Sequence, residues 1–259
     1  MGTEGAKSLH EMPLVEHLRE LRRRLAYICI SVAVGTVVAY SYSEEIFLLL
    51  TSIYYRNFSG GTLIGTGPAE AFMLKLKVAV LAGIVLMSPA ILFQVWKFIE
   101  PGMYDKEKHY ALPFVFFGTT LFMLGVWFCY TAVLPLSLGF FAEEYKSIGV
   151  TPTVRISEHL SVLMQALVGF GVVFELPVIA FFLGKAGVID HRMMLGAGRY
   201  AIVIIFVISA ILTPPDALTQ VMMAGPMLLL YGASILIVKF TARKPLQETT
   251  TAPVAKLQE

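Results

Sequence analysis

One carboxylate lies in the middle of a long apolar run of this sequence. Glu175 stands two residues before Pro177, within the stretch 160–184, which holds no other charged side chain. An acidic side chain at the centre of a bilayer costs at least about 2.5–3.5 kcal/mol, so it should face protein or water. Glu175 is therefore predicted to bind a partner group or to carry a proton. The alternative is structural: a neutral Glu175, hydrogen-bonded to a neighbouring helix or to the carbonyl that Pro177 leaves free.

A second acid lies among arginines near the N-terminus. The segment 13–25 has leucines at helical spacing, which predicts an amphipathic helix. Glu20 in this segment has the chemistry to receive guanidinium groups from a ligand, because carboxylates accept their paired hydrogen bonds. Glu20 also precedes Arg24 by four residues, so an ion pair within the helix explains the same pattern. Both interpretations stay open at this level.

A third group of acids lies in a short polar loop. The segment 98–109 carries Glu100, Asp105 and Glu107 beside aromatic residues. These carboxylates form either a site for guanidinium groups or simply a solvated loop of mixed charge. Spacing alone does not choose between the two.

The composition is that of a membrane protein. Of the 259 residues, 57% are hydrophobic and only 15% are charged, and the mean hydropathy is +0.74. Soluble domains carry roughly 25% charged residues, and a soluble protein this apolar would expose large sticky patches. The formal net charge of +2 gives no general attraction to nucleic acid. A soluble globular enzyme, a disordered chain and a nucleic-acid-binding protein are therefore excluded.

The motifs of several enzyme classes are missing. The sequence contains no Gly-x-x-x-x-Gly-Lys-Ser/Thr, no Gly-x-Ser-x-Gly and no His-Glu-x-x-His. Its histidines lie outside the apolar runs, and Cys29 and Cys129 lie inside them, which favours neither a metal site nor a disulfide framework. We therefore predict a protein that is not an enzyme and binds no cofactor or metal. Transport, or a scaffold for other membrane segments, remains.

Six apolar runs are predicted to cross the membrane as helices. They cover residues 25–42, 76–98, 111–134, 160–184, 200–212 and 218–238. This predicts an all-α membrane protein with an amphipathic cytoplasmic segment at 1–24, a six-helix bundle at 25–240 and a disordered cytoplasmic tail at 241–259. Prolines within four of the runs predict kinked helices: Pro89, Pro113, Pro177 and Pro226.

The basic residues predict the orientation of the bundle. With the N-terminus inside, fifteen of the 20 Lys and Arg residues fall in cytoplasmic segments, and the other five fall on the opposite side. Cytoplasmic loops carry such an excess. Both termini are therefore predicted to be cytoplasmic.

The fifth and sixth helices are predicted to be short. The thirteen residues of the run 200–212 reach only about 20 Å as a helix, against roughly 30 Å of hydrocarbon. A tight turn at 213–216 leads into the sixth helix. Such a hairpin either thins the bilayer or recruits neighbouring helices, or its polar flanks snorkel without further consequence.

Several motifs, in the same order and at the same positions in the topology, resemble those of the TatC family, the multispanning subunit of the twin-arginine protein translocase. They are Glu16-His17-Leu18-Arg19-Glu20-Leu21-Arg22-Arg23-Arg24-Leu25, Ser88-Pro89, Gln94-Val95-Trp96-Lys97-Phe98-Ile99-Glu100-Pro101-Gly102-Met103-Tyr104, Phe174-Glu175-Leu176-Pro177-Val178 and Leu212-Thr213-Pro214-Pro215-Asp216. The resemblance covers about residues 12–240.

The resemblance implies a function in protein export. TatC proteins bind signal peptides with consecutive arginines on folded cargo, act with single-span TatA and TatB proteins, and are driven by the proton-motive force. A member of this family is expected in the bacterial cytoplasmic (inner) membrane, in contact with lipid and as a homo-oligomer within a larger complex. The alternative function is a proton-coupled small-solute transporter that uses Glu175.

The resemblance also implies roles for single residues. The signal-binding residues would be Glu20, Arg22, Phe98 and Glu107, the intramembrane acid Glu175, and the partner-docking residues Gln220 and the turn Pro214, Pro215 and Asp216. Basic Lys106 and Lys108 flank Glu107 in this chain. How the arginine contacts divide among Glu100, Asp105 and Glu107 therefore stays open.

Overall fold

The computed structural model describes the backbone of residues 14–100, 111–213 and 216–241, and side chains from residue 16 onward in these ranges. The described helices are α1 (Leu14–Tyr40), α2 (Ser43–Asn57), α3 (Glu70–Leu86), α4 (Ser88–Ile99), α5 (Ala111–Phe128), α6 (Leu134–Ser147), α7 (Ile156–Val173), α8 (Leu176–Lys185), α9 (His191–Leu212) and α10 (Ala217–Thr241). A π-helical turn at Cys129–Val133 joins α5 to α6. The predicted all-α fold is confirmed, whereas residues 1–13 and nearly all of the predicted tail at 241–259 lie outside the description.

Five continuous helical segments of the described chain are long and apolar enough to cross a bilayer. They are α1, α5 with α6, α7 with α8, α9, and α10. The pair α3 and α4 passes the same test together and is bent by 59°. The predicted six spans are therefore found when this bent pair is counted as one.

The two ends of the bundle are distinct. Aromatic side chains from three helices meet near the start of α5: the ring of Phe182 lies 5.5 Å from that of Trp96 and 5.3 Å from that of Phe114. The rings of His17 in α1 and Phe98 in α4 lie 4.6 Å apart at this same end. We call it the N-terminal end, and the other the opposite end.

A small cap that was not predicted covers the opposite end. Strands β1 (Thr62–Ile64) and β2 (Thr153–Arg155) pair in parallel, with Leu63 beside Val154. Helix α2 packs beneath them, and the hydroxyl of its buried Tyr54 donates to the carbonyl of Pro152 at 3.3 Å. No span was predicted here because α2, with 15 residues, is too short and too polar to cross a membrane.

The predicted amphipathic segment and the first predicted span form one helix. Helix α1 runs without a break from Leu14 to Tyr40 over 27 residues, so residue 24 marks a change of composition and not a break in the backbone. No proline or glycine lies between residues 14 and 34 to end the helix. The arginines of the first turns are thereby fixed rigidly to the span.

The predicted kinks are found at two of the proline positions. The bend between α3 and α4 lies at Met87, where Pro89 cannot donate to the carbonyl of Val85. The hydroxyl of Ser88 donates to that carbonyl instead, at 2.9 Å. The second break separates α7 from α8 at Phe174 and Glu175, with Pro177 in the first turn of α8.

The predicted shortness of the fifth and sixth helices is wrong. Helix α9 has 22 residues and α10 has 25, which at 1.5 Å per residue is at least about 33 Å for each. The expectation counted only apolar residues, but the polar turns of residues 191–199 continue the helix. Asp190 begins it by accepting a hydrogen bond from the backbone N–H of His191 at 2.7 Å. Partial burial opposes ionisation, but hydrogen bonds from His191 outweigh it and hold the pKa of Asp190 below its usual value.

Two glycines allow α1 and α3 to touch backbone to backbone. A Cβ atom placed on Gly83 would lie 2.6 Å from the backbone nitrogen of Thr36 and 2.9 Å from the backbone carbon of Gly35. One placed on Gly35 would lie 2.8 Å from the carbonyl oxygen of Gly83. Small residues at such a crossing bring membrane helices close enough for extensive van der Waals contact. This crossing fixes the position of α1, since α1 packs more extensively against α3 than against any other helix.

Candidate functional site

The first candidate residues meet at the N-terminal end, where α1 packs beside α4. Phe98 is half-buried in the last turn of α4 and contacts the ring of His17. Arg22 is exposed five residues beyond His17 in α1 and makes no hydrogen bond or ion pair with any described residue. The structure therefore brings an aromatic ring and a free guanidinium group to one rim.

Glu20 is already engaged on this rim. Its carboxylate accepts a hydrogen bond from Nη2 of Arg23 at 2.5 Å and another from Nε of Arg24 at 2.6 Å. Arg24 also donates through Nη1 to Oε1 of Gln94 in α4, at 3.1 Å. The ion pair between Glu20 and Arg24 that was weighed as an alternative is thus present, and it is extended by Arg23 and Gln94.

The loop acids are only partly described. Glu100 follows α4 directly and pairs with Nζ of Lys97 at 2.8 Å. Glu107, together with Asp105, lies outside the described residues. The predicted pairing of Glu20 and Glu107 around one ligand therefore stays a prediction.

Glu175 is buried at the junction of four helical segments. Its side chain is 6% exposed, and neither carboxylate oxygen has a hydrogen-bond partner among the described residues. It points at α5, since a Cβ atom placed on Gly118 would lie 3.0 Å from Oε2 of Glu175 and 3.0 Å from Cδ1 of Leu92 in α4. Neither of the structural partners considered for it, a neighbouring helix or the carbonyl freed by Pro177, accepts or donates a hydrogen bond here. An unpartnered buried carboxyl is costly, which is typical of functional positions.

Asp216 and Gln220 lie together at the start of α10. The carboxylate of Asp216 accepts hydrogen bonds from the backbone N–H of Thr219, at 2.7 Å, and from its hydroxyl. Gln220 donates through Nε2 to the carbonyl of Phe206 in α9, at 2.9 Å. Both side chains therefore have structural partners, Asp216 as a helix cap and Gln220 as a tie between α9 and α10. Pro214 and Pro215 lie outside the described residues.

Comparison with known proteins identifies the family of this chain. The family model "Sec-independent protein translocase protein (TatC)" matches residues 16–226, which is most of the chain and includes every described candidate residue.

The chain belongs to the TatC family.

Its relatives cover it almost end to end. The Sec-independent protein translocase protein TatC of Aquifex aeolicus (strain VF5) is 39% identical over 234 residues, which is 90% of this chain and 97% of that protein. The protein of the same name from Helicobacter pylori (strain J99 / ATCC 700824) is 39% identical over 232 residues, covering 90% and 91% of the two chains. A crystal structure of the twin arginine translocase receptor TatC superposes with a TM-score of 0.80 at 38% identity, and covers 88% of this chain and 100% of that one.

Membership of the TatC family confirms the main conclusions from the sequence. The chain is a multi-pass membrane protein of protein transport and not an enzyme. Within the described residues, no three His, Cys, Asp or Glu side chains come together in a way that could hold a metal.

Two residues of this TatC-family protein that support the site were not predicted to do so. Gln94 holds Arg24 from α4, and Gly118 leaves room for Glu175. Gln94 was visible as a polar residue late in the run 76–98, but its partner lies 70 positions away in sequence. Gly118 gave no signal, because only the packing of α5 against α8 gives its missing side chain a meaning.

The opposite end also holds a cavity. It has a volume of about 490 Å³ and lies between α2, α6, α7 and the start of α10. Its lining is mostly apolar and includes Tyr54, Leu163 and Met223, together with the buried His159. None of the described candidate residues lines it.

Replacing Asp216 with alanine is expected to lower the free energy of unfolding by about 1 kcal/mol, because α10 loses its cap. Thermal unfolding of the purified protein in detergent measures this. Asp216→Asn keeps an acceptor oxygen for Thr219 and should retain most of the stability. A normal thermal stability of Asp216→Ala would contradict the capping role of the carboxylate.

Proposed function

We propose that this chain is the receptor for twin-arginine signal peptides and the core scaffold of a translocase that exports folded proteins, driven by the proton-motive force. The observation that carries the proposal is the state of Glu20 on the N-terminal rim. Its carboxylate holds guanidinium groups at 2.5 and 2.6 Å, so the position has the geometry that arginine side chains need. A related chain of 38% identity bears the description of a twin arginine translocase receptor.

The rim offers more than one acid to the signal peptide. Phe98 presents an aromatic ring, on which a guanidinium group can stack, and this ring lies 4.6 Å from that of His17, three residues before Glu20 in α1. Glu107 follows α4 in the sequence and would supply the second carboxylate. Arg22 would bind carbonyl or acidic groups of the same peptide segment. Selectivity for arginine over lysine then comes from paired hydrogen bonds, which an ammonium group cannot form.

Orientation follows from the same rim. We place the N-terminal end in the cytoplasm of a bacterium and the α2 cap on the far side of the inner membrane, because signal peptides arrive from the cytoplasm. Lys97, Lys185 and Arg199 support this placement, since each lies over an aromatic ring near the N-terminal end, as expected of basic anchors at the cytoplasmic interface.

Glu175 and the hairpin of α9 and α10 would receive the single-span partners. The buried carboxyl of Glu175 has an unused capacity for hydrogen bonds, which a polar group on a TatA- or TatB-like helix would satisfy. Asp216 and Gln220 lie at the start of α10, against which such helices would dock. A homo-oligomer within a larger complex, in contact with lipid, is part of this proposal.

Binding of a signal peptide tests the receptor function directly. A fluorescent peptide with two consecutive arginines is titrated against the full chain in lipid nanodiscs, beside the same peptide with two lysines. Each charge-assisted hydrogen bond contributes roughly 1.5–3 kcal/mol, so Glu20→Gln with Glu107→Gln should weaken binding of the arginine peptide at least about tenfold.

Glu16→Gln is the matched control. Glu16 is an exposed acid on the same helix and pairs with no described residue, so its replacement removes one charge without touching the site. Unchanged binding in the Glu20/Glu107 double variant would reject the proposal, as would equal affinity for the arginine and lysine peptides.

A proton-coupled small-solute transporter is the second candidate, favoured by the same unpartnered carboxyl of Glu175. It predicts proton-linked solute flux by the chain alone in liposomes. The receptor proposal predicts no such flux and a requirement for single-span partners.

A further inference from the structure

Two consecutive arginines of the chain itself occupy the carboxylate that the signal peptide would use. Arg23 and Arg24 follow each other in α1, and each binds a different oxygen of Glu20, at 2.5 and 2.6 Å. A signal peptide brings the same pair of groups in the same order. Without a ligand, Glu20 therefore already binds two guanidinium groups of the kind that the signal peptide would bring.

The two arginines are held unequally. Arg24 is 18% exposed and is tied to α4 through Gln94 at 3.1 Å. Arg23 is 57% exposed, and Glu20 is its only hydrogen-bond partner among the described residues. An exposed ion pair within one helix contributes little to stability, so Arg23 can leave at low cost while Arg24 stays.

Charge makes that departure necessary. With both guanidinium groups in place, the single negative charge of Glu20 is more than balanced, and on the same helix exposed Arg19 and Arg22 outnumber the other acid, exposed Glu16. An incoming arginine meets a locally positive surface and finds both carboxylate oxygens in use. Guanidinium groups that surround one carboxylate repel one another, and this repulsion falls only when one of them moves away.

We infer that Arg23 is an internal competitor of the signal peptide, displaced from Glu20 when a signal arginine binds, while Arg24 remains and holds the carboxylate in place. This rests on the proposed receptor function and adds a determinant of its affinity. The competition lowers the affinity of the chain for every signal peptide by the same factor. Weaker binding shortens the time for which cargo stays bound, because affinity differences between related complexes reside mostly in the dissociation rate.

The test compares three single variants of the full chain in nanodiscs, titrated with the arginine peptide. Arg23→Gln removes the competitor and should bind about twofold to fivefold more tightly than wild type, the range expected for an exposed ion pair. Arg19→Gln is the matched control, since Arg19 is exposed on the same helix and pairs with no described residue. Arg23→Lys keeps the charge but loses the planar fork, and should give a smaller gain.

The outcomes distinguish a failure of the competition from a failure of the receptor function. Tighter binding by Arg23→Gln than by Arg19→Gln supports the competition. Equal affinities of these two variants, or weaker binding by Arg23→Gln, overturn the competition alone, provided that wild type binds the peptide and the Glu20/Glu107 double variant binds it more weakly. If wild type binds no arginine peptide, or the Glu20/Glu107 double variant binds it as wild type does, the receptor function fails and the competition fails with it.

Discussion

Replacing Glu175 with leucine is expected to make the purified protein more stable and to stop export. The carboxyl of Glu175 is 6% exposed and lacks a hydrogen-bond partner among the described residues, so the isolated chain bears its full cost of desolvation. An unsatisfied buried polar group costs about 1–3 kcal/mol, and leucine, of similar size, removes that cost. Export should fall at least about tenfold, since a partner helix would lose a hydrogen bond to a group that can be charged.

Gln220→Leu is a comparison variant for which we expect the opposite change in stability. The amide of Gln220 is also a polar group of the bundle, but it donates to the carbonyl of Phe206, so its loss should lower the thermal stability. Glu175→Gln, which keeps hydrogen bonding but cannot carry a proton, separates partner binding from proton transfer. If it exports normally, proton transfer at this position is not needed.

Thermal unfolding in detergent and export of a folded reporter in cells are the two measurements. Reduced stability of Glu175→Leu would show that the carboxyl has a structural partner after all. Full export by the same variant would remove Glu175 from the mechanism.

Replacing Gly83 with valine is expected to separate α1 from α3 and to remove both stability and peptide binding. The new Cβ would lie 2.6 Å from a backbone nitrogen and 2.9 Å from a backbone carbon of α1, and backbone atoms in a helix cannot move aside singly. Overpacking of this kind costs about 1–3 kcal/mol and occasionally more. Because Glu20 lies on the same rigid helix, displacement of α1 also moves it away from Gln94 and Phe98.

The matched control for Gly83 is Gly232→Ala in α10. A Cβ atom there would meet nothing within 4 Å, and alanine favours a helix over glycine by up to about 1 kcal/mol. This variant should therefore be as stable as wild type or slightly more so, with unchanged peptide binding. Thermal unfolding and the peptide titration measure both variants. Wild-type stability of Gly83→Val would show that the two helices are not held by this close crossing.

Much of the fold was predictable from the sequence because the bilayer imposes simple rules. Long apolar runs gave the spans, and the excess of basic residues in alternate loops gave a predicted orientation. Pro89 and Pro177 marked the two main bends, since a proline removes a backbone donor wherever it stands. The acids of the rim and the isolated Glu175 were visible for the same reason, as charges are rare and expensive near lipid.

The lengths of α9 and α10 and the presence of α2 were not predictable in this way. Apolar runs report the part of a helix that faces lipid, whereas a helix continues through polar residues for as long as its backbone hydrogen bonds are made. The cap was missed because its parallel strands join residues that stand 91 positions apart.

For the site, the residue types came from the sequence and their partners came from the tertiary structure. The sequence identified Glu20 and Glu175 as polar groups that need an explanation, and in each case left a structural alternative open. Spacing within α1 already offered the ion pair of Glu20 with Arg24, and only the packing of α1 on α4 showed that Gln94 also binds Arg24. Only the junction around Gly118 showed that Glu175 has no hydrogen-bond partner among the described residues. Only the packing of α10 on α9 showed that Gln220 has one, the carbonyl of Phe206. A hydrogen bond depends on the distance and direction between two atoms, and for residues on different helices both are set by the fold and not by spacing along the chain.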